Sequence, residues 1–188
     1  MARTDNIYQL PVDLPVPVDD GACDHLAGMK VPSVSHRSTA GRLVDLGNLH
    51  GWTVVYCYPR TGRPDQEPPK GWNQIPGARG CTPQSCAFRD HFKELQVLGA
   101  QVFGLSAQSS EYQKEAAERL HLPFELLSDS DLAFARALRL PTFQVEAMTL
   151  IKRLTLIILD GRIEKVFYPV FPPDKNVQEV VEWLSRNS

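Results

Sequence analysis

The 188-residue sequence lacks several features that define large classes of protein. No stretch approaches about 18 consecutive apolar residues, which excludes a transmembrane helix and gives no reason to expect a membrane partner. The 20 Lys and Arg residues are scattered, and the formal net charge is −2. Such a pattern contains no basic run that would bind nucleic acid or an anionic surface. The N-terminal sequence also lacks the apolar segment of a secretory signal, so we expect a cytoplasmic protein.

Cysteine is scarce too, with four residues in the chain: Cys23, Cys57, Cys81 and Cys86. Four cysteines in a cytoplasmic protein of this size do not indicate a disulfide framework. No second Cys or His pair stands at metal-ligand spacing, so we expect neither a metal nor an organic cofactor. Cys57 lies inside an apolar run and is interpreted as an inert core residue, whereas Cys23 follows the N-terminal segment and is expected to be exposed.

The remaining pattern is typical of an α/β protein with a central mixed β-sheet flanked by helices. Apolar residues make up 43% of the chain, enough for one sizeable core. We predict an extended, proline-rich arm over residues 1–30 and a single domain over 31–188. Residues 52–58 (WTVVYCY) predict a strand that is buried on both faces. Residues 60–80 are rich in proline and glycine and predict a long inserted loop, of the kind that is usually functional or disordered.

A helix is predicted from Thr82 to Gly99, because Thr82 can cap it and a proline suits its first turn. A cysteine acts as a nucleophile only as its thiolate. Unpaired N–H groups and the positive end of the helix macrodipole both favour that anion. Since Cys81 and Cys86 would both lie near this helix start, local electrostatics do not decide which of them attacks. Arg79 is either a second cation beside the thiolate or a solvated loop charge.

The five-residue spacing of Cys81 and Cys86 has a structural consequence. On a regular helix, residues five apart are separated by about 140° around the axis and about 7.5 Å along it. A disulfide needs Cα atoms within about 4.4–6.8 Å and converging Cβ vectors. If these two cysteines form a disulfide, the first turn of the helix must unwind.

The segment GCTPQSCAFRD, at residues 80–90, resembles the peroxidatic segment of Q-type peroxiredoxins, the bacterioferritin comigratory protein group. Three further segments are similar to family motifs in the same order: VVYCYP, LLSDSD and KRLTLIILDGRIEKVF. The resemblance runs from about Ser33 to the C-terminus. It implies a thioredoxin-like fold with peroxiredoxin additions. It also implies that Cys81 is the nucleophile, eight residues before the Arg-Asp pair, and that Cys86 is the resolving cysteine.

The same resemblance implies that Arg153 is the arginine that stabilises the thiolate and the charge on the peroxide oxygens. Without the family, a buried Arg153 would still need an anionic partner or a route to solvent. One family residue is out of place: the pattern P-x-x-x-T-x-x-C requires a threonine where Ala78 stands. Thr61 is the candidate for this role if the inserted loop folds back on the cysteine.

The resemblance implies a thiol peroxidase that reduces hydrogen peroxide or an alkyl hydroperoxide. Cys81 would become a sulfenic acid, Cys86 would close an intramolecular disulfide, and thioredoxin or a similar dithiol would recycle it. We expect a monomer or a weak homodimer. Two alternatives stay open: a redox sensor of the same fold with little turnover, and a disulfide oxidoreductase, which the spacing disfavours because C-x-x-C is its usual motif. A one-cysteine peroxidase is a variant of the main hypothesis.

Overall fold

The computed structural model describes residues 3–188 and contains nine β-strands and five α-helices within them. The strands are β1 (Ser35–Ser38), β2 (Leu43–Asp45), β3 (Trp52–Cys57), β4 (Ala100–Ser106), β5 (Glu125–Ser128), β6 (Thr142–Val145), β7 (Met148–Ile151), β8 (Leu154–Leu159) and β9 (Arg162–Phe167). The helices are α1 (Cys81–Asp90), α2 (Phe92–Val97), α3 (Ser110–Arg119), α4 (Ala133–Leu138) and α5 (Asn176–Asn187).

Seven strands form one mixed sheet in the order β2-β1-β5-β4-β3-β8-β9. Strands β3, β4 and β5 pair in parallel, while β8 joins β3 antiparallel and continues into β9. The α/β prediction with a central mixed sheet and flanking helices is therefore confirmed.

The alternation of side chains along β3 divides the core into two halves. Val55 and Cys57 point to the side covered by α4, where they pack with Phe134. Val54 and Tyr56 point to the opposite side, which α1, α2 and α5 cover. Burial on both faces explains why this strand has almost no polar residue. The opposite side is also the one that carries Cys81.

Two features differ from the sequence-based prediction. The helix expected from Thr82 to Gly99 is two helices, because the backbone turns at His91 (φ −105°, ψ 9°). The hairpin of β6 and β7 was not predicted. Its turn passes through Glu146, which has φ 52°, and contains none of the Asn-Gly or Gly-Gly signals that mark such turns.

The N-terminal segment is more closely packed than an arm that only crosses the surface. Leu26 and Val31 are buried in the core, and the N–H of Val31 donates to the carbonyl of Gly161 at 2.8 Å. Cys23 is buried as well, with 6% of its surface exposed, so the expectation that it is exposed was wrong. Its neighbours in the chain pack into the domain and carry it with them. Residues 1 and 2 of the predicted arm lie outside the described residues.

None of the helices within residues 3–188 combines the length and apolar character needed to cross a membrane.

Candidate active site

The first turn of α1 begins at Cys81, one residue before the predicted cap. Gly80 occupies the N-cap position with φ 114°, a conformation that side chains rarely adopt. A Cβ at Gly80 would also collide with Pro173 and would lie 2.9 Å from Leu10 Cδ2. Glycine at this position therefore lets the segments that carry Pro173 and Leu10 pack against the start of the helix. Cys81 itself is 3% exposed.

Arg153, in the connection between β7 and β8, reaches this helix start from the sheet. One guanidinium nitrogen, Nη2, lies 3.1 Å from Cys81 Sγ and donates to it. The guanidinium of Arg153 donates its remaining hydrogen bonds to four oxygens: the carbonyls of Gly77 (3.3 Å), Ala78 (3.0 Å) and Arg79 (3.4 Å), and Oε1 of Gln84 (2.6 Å). The structure thus brings together Arg153 and Cys81, two of the four predicted site residues.

The charge of Arg153 is buried, at 3% exposure, and every oxygen it contacts is neutral. A buried charge needs a partner of opposite sign, because desolvation otherwise costs several kcal/mol. Cys81 Sγ is the contact that becomes anionic when it loses its proton. Arg153 therefore places a cationic hydrogen-bond donor beside any negative charge that develops on this sulfur.

A short hydrogen-bond chain holds Gln84 beneath this arginine. Gln84 Nε2 donates to Asn176 Oδ1 at 3.4 Å, and the Thr155 hydroxyl donates to the same oxygen at 2.6 Å. All three residues are fully buried. Sequence reasoning did not identify Gln84. Its position three residues after Cys81, on the same face of the helix, was the available signal.

Cys86 lies on α1 as well, and an intact helix separates the two thiols. It is partly buried, and this burial raises the pKa of its thiol above the ordinary value, while Arg89 and Arg119 act weakly in the other direction. Beside it, the hydroxyl of Ser85 forms a hydrogen bond of 3.0 Å with Tyr56 at the sheet. In this structure both Cys81 and Cys86 are free thiols.

Cys81 lines a small pocket, together with residues of the predicted insertion and of the N-terminal segment. The pocket has a cavity volume of about 20 Å³. The insertion and the helix start supply most of its wall, and Arg3, Ile7 and Tyr112 close the rest. Thr82, which is 3% exposed, also lines it. Cys86 is not part of this wall.

Arg79 does not serve as a second cation on the thiolate. It is 5% exposed, so it is not a solvated loop charge either. Its guanidinium pairs with Asp5 and donates to the carbonyls of Asn6 (2.8 Å) and Gln9 (3.2 Å). Hydrogen bonds from Arg3 and then Arg79 hold the pKa of the Asp5 carboxyl well below its usual range.

Thr61, the fourth predicted site residue, is directed elsewhere. It is fully buried, and its N–H and hydroxyl both donate to Gln108 Oε1, at 3.0 and 3.2 Å. Its carbonyl accepts from Gln108 Nε2 at 3.2 Å. Its neighbours Arg60 and Gly62 line the Cys81 pocket, but Thr61 does not. The inserted loop folds back as required, yet it ties Thr61 to the loop after β4, so no contact supports a role for its hydroxyl at Cys81.

The other two cysteines lie away from this pocket. Cys57 is fully buried within β3, and burial raises the pKa of its thiol far above the ordinary value. Burial also raises the pKa of the Cys23 thiol, to about 12. Both are therefore protonated near neutral pH and are poor nucleophiles. Within residues 3–188, no three or more His, Cys, Asp or Glu side chains are arranged to hold a metal ion.

The sequence of the chain is similar to those of a family of redox proteins. The model of the Redoxin family matches residues 26–183. Peroxiredoxin Q, chloroplastic, from Sedum lineare is 33% identical over 159 residues, which cover 84% of this chain and 76% of that protein. Peroxiredoxin Q, chloroplastic, from Oryza sativa subsp. japonica is 31% identical over 159 residues, and the match spans 65% of its length.

Solved structures agree in fold. The peroxidoxin BcpB from Mycobacterium tuberculosis superimposes with a TM-score of 0.72 at 23% identity, covering 87% of this chain and 99% of that one. A PrxQ from Xylella fastidiosa gives a TM-score of 0.70 at 20% identity, covering 86% and 97%. The thioredoxin-like peroxiredoxin fold expected from the sequence is confirmed by these similarities.

Proposed function

Because the chain belongs to the Redoxin family, and within it to the Q-type peroxiredoxins, we propose that it reduces hydrogen peroxide or an alkyl hydroperoxide at Cys81 and resolves the product with Cys86. A peroxiredoxin is a thiol peroxidase, so the peroxide substrate and a thiol reductant follow from the family. The roles of particular residues and the recycling by thioredoxin are the proposal.

The observation that carries the proposal is the contact of 3.1 Å between Arg153 Nη2 and Cys81 Sγ. It joins a cysteine at a helix N-terminus to a buried guanidinium whose oxygen contacts within residues 3–188 are all neutral. Both features stabilise an anion at that sulfur. Cys86 has neither feature, and burial raises the pKa of its thiol. These two features support Cys81 over Cys86 as the nucleophile of our proposal.

In the first step, the Cys81 thiolate attacks the terminal oxygen of the peroxide. The S–O bond forms as the O–O bond breaks, and the leaving hydroxide or alkoxide takes up a proton to give water or an alcohol. Cys81 is oxidised to a sulfenic acid. Arg153 stabilises the charge that moves onto the oxygens. We assign the hydroxyl donor in the pocket to Thr82, since the Thr61 hydroxyl is bonded to Gln108.

In the second step, the first turn of α1 unwinds and the Cys86 sulfur attacks the sulfenic sulfur of Cys81. The S–S bond forms and hydroxide leaves, taking a proton to become water. Unwinding is required because the intact helix holds the two Cα atoms too far apart for a disulfide. A dithiol reductant, thioredoxin in our proposal, then restores both thiols by disulfide exchange. The residue roles need no metal or organic cofactor.

A single-turnover oxidation tests this sequence of steps. Fully reduced protein receives one equivalent of hydrogen peroxide, is alkylated within seconds and is mapped by peptide mass spectrometry. We expect a Cys81–Cys86 disulfide, with Cys23 and Cys57 still alkylated. If Cys81 and Cys86 both stay reduced, the proposal fails. Slow turnover with a cleanly formed disulfide would instead favour the redox sensor.

Two variants assign the cysteines. Cys81→Ser is expected to abolish peroxide reduction. Cys86→Ser is expected to consume one equivalent of peroxide and then stop with thioredoxin as reductant. Full turnover of Cys86→Ser with a monothiol would show a one-cysteine peroxidase in place of the resolved mechanism. A cytoplasmic location and a monomer or weak homodimer remain part of the proposal, and the plant relatives are named chloroplastic.

A further inference from the structure

The N-terminal segment Arg3–Leu10 lies outside the part of the chain that the family model matches, residues 26–183. It nevertheless forms part of the wall of the Cys81 pocket, through Arg3 and Ile7. Ile7 is 5% exposed, which is unusual for an apolar side chain in a segment without helix or strand. The segment therefore contributes to the candidate active site of this chain in a way that the family match does not account for.

Arg79 fixes this segment in place. Its side chain pairs with Asp5 and donates to the carbonyls of Asn6 and Gln9, so one buried guanidinium spans the turn that carries Ile7. Leu10, at the end of the segment, packs at Gly80 directly before the nucleophile. Hydrogen bonds from a charged donor are stronger than those between neutral groups, so this attachment is strong for an irregular segment.

The pocket that results is small. Its cavity volume of about 20 Å³ holds one or two water-sized groups. A second cavity of about 420 Å³ is lined mainly by apolar residues and also by Arg153, and Cys81 is not part of its lining. Ile7 and Cys81 line the same small pocket, so an organic substituent that enters it with the peroxide oxygens would compete for space with the Ile7 side chain, whereas hydrogen peroxide carries no such substituent.

We propose that the segment Arg3–Leu10, held by Arg79, is a specificity-determining wall that favours hydrogen peroxide over bulky organic hydroperoxides. Ile7 is the residue that excludes the organic substituent, and Arg79 is a positioning residue that acts through the segment. This inference rests on the proposed function, because it assumes that the substrate reaches Cys81 through this pocket.

The test compares kcat/KM for cumene hydroperoxide with kcat/KM for hydrogen peroxide in the same protein. In Ile7→Ala we expect the ratio to rise roughly tenfold, the effect that one or two methylene groups have in a tight binding pocket. Arg79→Met, which releases the segment, should raise it as well. Val12→Ala is the matched control, since it shortens a β-branched side chain that is fully exposed near the same segment, and its ratio should equal that of the wild type.

A second measurement does not depend on peroxidase activity. Reduced protein is treated with methyl methanethiosulfonate or with benzyl methanethiosulfonate, and modification of Cys81 is followed by peptide mass spectrometry. In the wild type, the benzyl reagent should modify Cys81 much more slowly than the methyl reagent. In Ile7→Ala, the rate of modification should increase more for the benzyl reagent than for the methyl reagent. If the wild type reduces no peroxide but still shows this size selection, the proposed function is refuted, whereas the inference that Arg3–Leu10 limits access to Cys81 is retained. If neither Ile7→Ala nor Arg79→Met raises the peroxide ratio or the benzyl rate more than twofold, the inference is overturned.

Discussion

Replacing Arg153 with methionine removes the positive charge beside Cys81 while keeping a long, unbranched side chain. At 3.1 Å, two unit charges attract by about 5 kcal/mol for an effective dielectric constant of about 20. Part of that attraction is offset by the desolvation of the guanidinium. Removing one donor that is aimed at a developing anion typically slows a reaction by about 100- to 1000-fold. We therefore expect Arg153→Met to lower kcat/KM for hydrogen peroxide by about this factor.

The assay is stopped-flow oxidation of the reduced protein by hydrogen peroxide, followed through tryptophan fluorescence. Alkylation of Cys81 by iodoacetamide near neutral pH should slow in parallel, because Arg153→Met weakens the stabilisation of the thiolate. Thermal unfolding must be recorded too, since methionine leaves Gln84 Oε1 without its donor at 2.6 Å. A folded variant then separates the chemical effect from a loss of structure.

Arg136→Met is the matched control, because Arg136 is an exposed arginine on α4. Its rate should stay within about twofold of the wild type, since surface substitutions away from a site change little. If a folded Arg153→Met reacted with peroxide within threefold of the wild type, the electrostatic argument for Cys81 would be refuted.

Three further results are expected. Burial raises the pKa of the Cys86 thiol while α1 is folded, so loss of the Cys86 proton at rising pH favours the unwound turn. The rate of disulfide closure after sulfenic acid formation should therefore increase as the pH rises, and a rate that does not depend on pH would argue against this step. Gln84→Met removes the acceptor of Arg153 and should lower kcat/KM for peroxide about tenfold, with little change in KM for the reductant, in steady-state kinetics. Thr82→Val keeps the shape of the side chain but removes the hydroxyl, and it should lower the rate of the first oxidation step about tenfold. An unchanged single-turnover rate would show that another group donates to the peroxide.

The α/β class was predictable because it depends on local patterns. A run of β-branched and aromatic residues from Trp52 to Cys57 predicts a buried strand wherever it occurs. The helix start near Cys81 was also readable, although the cap is Gly80 and not Thr82. Glycine is only modestly enriched at N-caps, where Ser, Thr, Asn and Asp lead, so the cap lies two residues before the predicted one.

Two predictions depended on how a loop packs, and sequence periodicity carries no information about that. Cys23 was expected at the surface because it follows a proline-rich segment, yet it lies in the core beside Leu26. Thr61 was the candidate donor at the nucleophile on the condition that the insertion folds back on the cysteine. The insertion does so, but the side chain of Gln108 takes the Thr61 hydroxyl.

Sequence patterns alone indicate two cysteines five residues apart near a helix start, a spacing that allows a disulfide only if the helix unwinds. They also contain a family motif, and the resemblance implies roles for Cys81 and Arg153. The contacts of these residues come from the folded chain: Arg153, which lies 72 residues away in the chain, comes within 3.1 Å of the sulfur, and Arg79 binds the N-terminal segment. A sequence pattern cannot predict such contacts, because local backbone preferences are set by neighbouring residues, whereas the partners of a buried charge are set by contacts between distant ones.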